Sequence, residues 1–234
     1  MQRMYYPDFQ SGFIPSDHPL YHQITRVLRA RVGGEYLFFS GNGFESIITV
    51  DTIDRKGCTY TILDTTKTLA NPQKYLCIAQ ALPNKFEKLE YIVEKGVECG
   101  VSEFIFFPSK YSQIRHLDEK KVARLQKIAM EAVEQCGRSD LVSLSMLSDF
   151  PQCSKGKCIF LHTSEQTIPI NEAVEHVEDE QGMTLFIGPE GGWSQEEATM
   201  FYQNPDALSV NLGSRVLRLE TVTPVVAFMF MDGY

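Results

Sequence analysis

Two short stretches near the C-terminus of this 234-residue chain gather the side chains best suited to chemistry. The first, TLFIGPEGGWSQEE from Thr184 to Glu197, sets one carboxylate, Glu190, inside a glycine-rich turn. Glycines there let a ligand approach the backbone closely, and the amides of a helix start offer hydrogen bonds. A phosphate would gain nothing from Glu190, whereas a ligand with a cationic end would. The second stretch, GSRVLRLET from Gly213 to Thr221, brings two guanidinium groups, Arg215 and Arg218, and a further carboxylate, Glu220. A guanidinium is a rigid fork suited to phosphate oxygens or to a planar carbonyl. Glu190 and Glu220 could each accept a proton.

The elements that must position these residues can be read around them. Thr184 to Ile187 is an apolar run of strand length that breaks at Gly188-Pro189. Ser194-Gln195-Glu196-Glu197 reads as a capping box, so a helix starts there. From Lys74 onward strands and helices alternate. Strands are expected at Tyr75 to Ala81, Val101 to Phe107, Cys158 to His162 and Leu208 to Leu212. Helices are expected over 84–99, Asp118 to Cys136 and 171–181, and a last one capped by Thr223 with Pro224 at its first position. Such alternation implies a parallel sheet with helices on both faces, whose ligand loops lie at the carboxyl ends of the strands. Three loops qualify: the one after Leu161-His162, the one at 188–193 and the one at 213–221.

Residues 1–67 read as mostly β and barrel-like, with strands at Tyr36 to Phe39, Ser46 to Val50 and Cys58 to Leu63, and a short helix from His22 to Arg31. Asn71-Pro72 marks the boundary, giving domains 1–70 and 71–234.

Composition narrows the partners. The net charge of −8 argues against a protein that coats nucleic acid. Residues 1–67 balance seven basic with seven acidic side chains, so the excess belongs wholly to the rest, much of it at Glu172, Glu175, Glu178, Asp179 and Glu180. An RNA partner would need a local basic surface. Arg3, Arg26, Arg29 and Arg31 are the better candidates, ahead of the helical stripe Lys120, Arg124 and Lys127. The six cysteines form no C-x-x-C pair and no zinc pattern, so neither a metal nor a disulfide is expected. No apolar stretch spans a bilayer and no secretory signal opens the chain, which makes the cytoplasm the expected compartment. Among the histidines, His22, His116, His162 and His176 read as surface or structural residues, with His162 the one to test.

The segments GPEGGWS and LGSRVLRLET resemble the two signature motifs of the RsmE family, bacterial methyltransferases acting on N3 of a uridine in 16S rRNA. The likeness continues through Gln80-Ala81-Leu82-Pro83, the helix ending at Gly100-Val101, and Lys127 to Arg138. At the N-terminus, His22 and Val27-Leu28-Arg29 are similar to the entry of the family's PUA-like barrel. The resemblance implies a SPOUT-type α/β fold: a parallel sheet with a C-terminal trefoil knot, preceded by a small PUA-like β-barrel. It further implies a homodimer that binds S-adenosylmethionine and acts on 16S rRNA or the small ribosomal subunit. Under it, Leu161, Ile187, Gly188, Pro189, Glu190, Gly191, Leu212, Gly213, Leu217 and Arg218 would hold the cofactor. Arg218, Glu220 and Arg138 would serve the reaction, and Arg3, Arg26, Arg29, Arg31 and Arg215 the RNA. Two other readings stay open: another SPOUT enzyme acting on a tRNA ribose 2′-hydroxyl, and a non-catalytic RNA-binding assembly factor.

Overall fold

A computed structural model describes residues 1–153, 156–177 and 180–231. The chain forms two compact units, one of Met1–Asn71 with Val133–Leu141, the other of Pro72–Ala132 with the chain from Val142 onward.

The first unit holds β1 (Arg3–Tyr5), a 3-10 turn, β2 (Phe13–Pro15), α1 (Pro19–His22) running into a π-helical turn at Gln23–Val27, β3 (Glu35–Phe39), β4 (Phe44–Ile53) and β5 (Gly57–Lys67). These strands form one sheet in the order β1-β3-β4-β5-β2, in which only β1 joins its neighbour in parallel. Its core gathers Met4, Phe38, Ile48, Val50 and Tyr60. The helix lies earlier than the His22 to Arg31 expected. His18 accepts from the Leu20 amide (3.2 Å) and Pro19 takes the first position, so the helix begins there. It stops because Arg29 adopts φ +52°, while the Ala30 amide turns back to the Ile24 carbonyl (3.0 Å). Residues 133–141 belong to this unit through hydrogen bonds: the Tyr5 amide to Glu134 (2.8 Å) and the Ser139 amide to Asn71 (2.8 Å).

The second unit holds β6 (Tyr75–Ala81), α2 (Phe86–Glu98), β7 (Glu103–Phe107), most of α3 (Glu119–Cys136), β8 (Ser143–Met146), β9 (Lys157–Leu161), β10 (Ile168–Pro169), α4 (Ile170–His176), β11 (Gly182–Ile187), α5 (Gln195–Tyr202), β12 (Ala207–Asn211) and α6 (Leu219–Met231). Seven strands lie in the order β10-β12-β9-β11-β6-β7-β8 and every pairing is parallel. β11 and β6 are buried along nearly their whole length, which is why they read as continuous apolar runs. The short edge strands β8 and β10 were not expected. Two to four residues make no periodic signal, and Pro169 is tolerated because β10 is an edge. The helix expected over 171–181 is α4, and Glu178 and Asp179 lie outside the described residues.

The last helix corrects the sequence reading. α6 starts at Leu219, so Pro224 lies inside it and Thr223 is buried rather than a cap. Packing decides this: Leu219, Thr223, Val226 and Ala227 are buried on one side of α6, and Gly96 of α2 gives the room. A Cβ at Gly96 would stand 3.2 Å from the Thr223 methyl and 2.6 Å from Phe104. Among the described residues no helix is long and apolar enough to cross a membrane.

At the start of α5 the capping box is complete: Ser194 accepts from the Glu197 amide (3.3 Å), and Glu197 accepts from the Ser194 amide (2.8 Å). Ser194→Ala is expected to lower stability by about 0.5–2 kcal/mol in urea unfolding, with Ser194→Asp recovering most of it.

Candidate functional site

The carboxyl ends of β12, β9 and β11 lie side by side, and the loops leaving them enclose one cavity of about 370 Å³. That volume suits a small-molecule ligand, for which about 300–1,000 Å³ is usual. After β9 come Leu161, His162 and Thr163; after β11, Ile187 through Trp193; from β12 and its loop, Val210, Leu212, Gly213, Arg215, Val216 and Leu217. Leu219 and Val222 of α6 complete the wall.

Local chemistry explains the shape. The Trp193 indole donates to the Leu161 carbonyl (2.9 Å), tying the β11–α5 turn to β9, and its ring packs on Phe160 and Phe107. A Cβ on Gly188 would sit 3.1 Å from the Trp193 ring, and one on Gly191 would sit 3.0 Å from the Tyr111 Cβ. The turn is therefore too crowded for larger residues. Gly213 has φ +91°, a conformation that favours glycine, and a Cβ there would meet open space.

Polar groups are few. His162 holds its backbone through an amide bond to the Val210 carbonyl (2.9 Å), while its buried Nδ1 has no hydrogen-bond partner among the described residues. Burial pushes the imidazole pKa down, so the ring is neutral at pH 7. Glu190 is anchored rather than open. It accepts from the Asn84 amide (3.1 and 3.2 Å) and from Lys88 Nζ (2.6 Å). Burial opposes its charge, but the Lys88 bond and the amides outweigh that and hold the carboxyl below its ordinary value. Lys88 also lies 3.9 Å from Glu220. Neither Lys88 nor Asn84 was foreseen, since 102 residues separate Lys88 from Glu190 and only the pairing of β6 with β11 joins them.

Nine of the ten residues expected to hold a cofactor line the cavity: Leu161, Ile187, Gly188, Pro189, Glu190, Gly191, Leu212, Gly213 and Leu217. Arg218 does not; its side chain is 88% exposed and stands 4.0 Å from Glu220. Arg215 does line it. Arg138 belongs to the first unit, where its side chain is 2% exposed and forks onto both oxygens of Asp140 (3.0 Å each). Arg3 is also built into that unit, bound to Glu45 and to the Arg138 carbonyl (2.9 Å) and lying over the Phe39 ring. Arg26, Arg29 and Arg31 are exposed. In the α3 stripe, Arg124 pairs with Glu90 and Lys127 with Glu131.

The lowered pKa of His162 makes a sign-definite prediction. The folded state binds fewer protons than the unfolded one, so stability is lost as pH falls below about 6.5. Between about pH 7 and about pH 5 the wild-type Tm should fall more steeply than that of His162→Gln, measured by calorimetry; parallel slopes would count against it.

The profile of the RNA methyltransferase domain family matches residues 70–231. The chain is 28% identical, over 213 residues, to the ribosomal RNA small subunit methyltransferase E of Bacillus subtilis (strain 168), covering 86% of this chain and 82% of that protein. A Legionella pneumophila protein solved in complex with the bound cofactor SAM has a TM-score of 0.81 at 24% identity, covering 98% of this chain and 96% of that one. The ribosomal RNA small subunit methyltransferase E of Neisseria gonorrhoeae, solved bound to S-adenosyl methionine, gives 0.78 at 23% identity, covering 98% and 96%. At these identities the two structures establish a shared fold. The family match, spanning more than two thirds of the length, establishes more: the chain belongs to the RNA methyltransferase domain family.

Proposed function

We propose that this protein transfers the methyl group of S-adenosylmethionine to N3 of a uridine in the 16S rRNA of the small ribosomal subunit. The observation that carries the reading is the convergence of three strand-end loops on one cavity in a chain of the RNA methyltransferase domain family. The similarity to ribosomal RNA small subunit methyltransferase E over most of the chain supports the substrate.

The residues present suit this cofactor. Leu161, Ile187, Leu212 and Leu217 are walls for an adenine ring, and the crowded glycine turn at 188–191 leaves the backbone as the surface a ligand meets. The buried Nδ1 of His162 is a polar atom with no hydrogen-bond partner among the described residues. Glu190, held by Lys88 and the Asn84 amide, sets a fixed negative charge at the cavity edge. Bound there, S-adenosylmethionine supplies a methyl group made electrophilic by its sulfonium. The apolar walls exclude water, and the loops fix the geometry of approach. Arg215 at the wall and Arg218 at the exposed rim are suited to holding uracil carbonyls or a neighbouring phosphate, and to stabilising the uracil anion.

We read the loops around the cavity as the threads of a trefoil knot, the five-stranded sheet as a PUA-like barrel, and the working form as a homodimer in the cytoplasm. The half-exposed Phe228 and Val225 on α6 support a second copy as the cover for that helix. RNA is assigned to Arg26, Arg29 and Arg31, all exposed, together with Arg215; Arg3 is engaged within its own unit.

Two experiments test the reading. Calorimetry with S-adenosylmethionine should show binding by the wild type and at least about tenfold weaker binding by Leu217→Asp. Nucleoside mass spectrometry of small subunits from a deletion strain should show N3-methyluridine only after complementation; a ribose-methylated nucleoside in its place would overturn the assignment. Arg29 gives a finer check. Arg29→Gly suits φ +52°, so stability should stay within about 1 kcal/mol of wild type. Affinity for a 16S fragment should nonetheless fall, and its salt slope should drop by about one.

A further inference from the structure

Two carboxylates, Glu190 and Glu220, share a single lysine, and the sharing is unequal. Lys88 Nζ stands 2.6 Å from Glu190 Oε1 and 3.9 Å from Glu220 Oε2. Glu190 takes hydrogen bonds from Lys88 and, on both oxygens, from the Asn84 amide. Among the described residues Glu220 has ion pairs only at the limit of contact, with Lys88 on Oε2 and with Arg218 on Oε1 (4.0 Å). Its Oε2 is buried and has no hydrogen-bond partner among the described residues. The two carboxylates are therefore held differently. One has its lone pairs engaged and its charge stabilised. The other has an unused lone pair, which is what a proton acceptor needs.

We propose that Glu220 accepts the N3 proton during methyl transfer, and that Lys88 is the positioning residue that reserves Glu220 for this by binding Glu190. The inference rests on the N3-uridine reading above. In the step, the N3–H bond breaks and its proton forms an O–H bond with Glu220. The electron pair left on N3 forms the N–CH3 bond, and the pair of the broken S–CH3 bond goes to sulfur. Leu219 and Val222 of the same helix turn line the cavity; Glu220 itself does not, but it shares Lys88 with the lining residue Glu190. The groups set against it are Lys88 from α2, Arg218 on the approach to α6, and Glu190 through Lys88. Thr223 Oγ1, one helical turn on, is buried and also has no hydrogen-bond partner among the described residues. Glu190 cannot take the same part without giving up hydrogen bonds that hold the β11–α5 turn to the β6–α2 loop.

The test follows single-turnover methylation of small subunits from about pH 4 to about pH 10, alongside calorimetry with S-adenosylmethionine and thermal unfolding. Glu220→Gln should lose about 10²–10⁴-fold in rate near neutrality, with Tm and cofactor affinity close to wild type. The deficit should shrink as pH rises, because uridine N3 then ionises without help. Lys88→Met leaves two carboxylates without their shared cation, so the acidic limb of its rate profile should move to higher pH, and Lys88→Arg should restore the limb. A Glu220→Gln deficit that is constant across pH, or absent, overturns the assignment of Glu220. An unmoved limb in Lys88→Met overturns the role of Lys88. Wild-type protein that fails to bind the cofactor or to form N3-methyluridine would instead sink the underlying function, which separates the two failures.

Discussion

A sheet whose strands all run one way sends every strand exit to one edge, and the site of this protein depends on that constraint. In the seven-stranded sheet β9, β11 and β12 are neighbours in space, although α4, α5 and their connections separate them in sequence. Their loops must therefore meet. The aromatic cluster beneath them fixes how closely. Trp193 reaches from the β11 loop to the end of β9, and Phe107, Phe150, Phe160 and Phe201 pack around it. The Ser194 capping box then locks the direction in which α5 leaves. The cavity remains open because backbone, and not side chain, occupies the crowded corners at Gly188 and Gly191.

Electrostatics inside the site differ from what an acidic chain would suggest. Glu190 is a charge already matched by Lys88, so the cavity presents a fixed, hydrogen-bonded carboxylate and not a bare one. Fixing costs nothing at the moment of binding, since the dipoles are already oriented. The same lysine sets Glu190 and Glu220 apart. The hydrogen bonds fall on Glu190, while the buried Oε2 of Glu220 takes none among the described residues. A neutral His162 adds a polar contact without adding charge.

The first unit shows how a basic side chain can serve its own fold. Arg3 and Arg138 carry the charge an RNA partner would seek, yet both are spent on internal contacts, with Glu45 and Asp140. A buried guanidinium needs such partners, because an unmatched charge out of water is costly. Arg29 shows the reverse: an exposed arginine at a left-handed helix stop where glycine is the usual residue. Its position cannot be explained by internal packing.

Much of this protein is written locally. The alternation of strand and helix from Lys74, the capping box at Ser194 and the glycine turn are all short-range patterns, because apolar periodicity and cap chemistry act within a few residues. They suffice to name the parallel sheet and the loops that line its cavity. What they miss is set by contacts between distant segments. β8 and β10 are too short to carry a pattern and exist because a neighbour pairs with them. Pro224 signals a helix start, but burial of Leu219 at the cavity wall and of Thr223 beside Gly96 of α2 sets the start of α6 before it. Residues 133–141 join the first unit through hydrogen bonds to Tyr5 and Asn71, which no boundary drawn along the chain can foresee. Lys88 acquires its meaning only when β6 and β11 pair and bring its helix to Glu190. The chain's own order thus determined which residues bear chemistry and which loops present them. Tertiary structure decided how their charges are matched, because matching depends on distance in space and not along the chain.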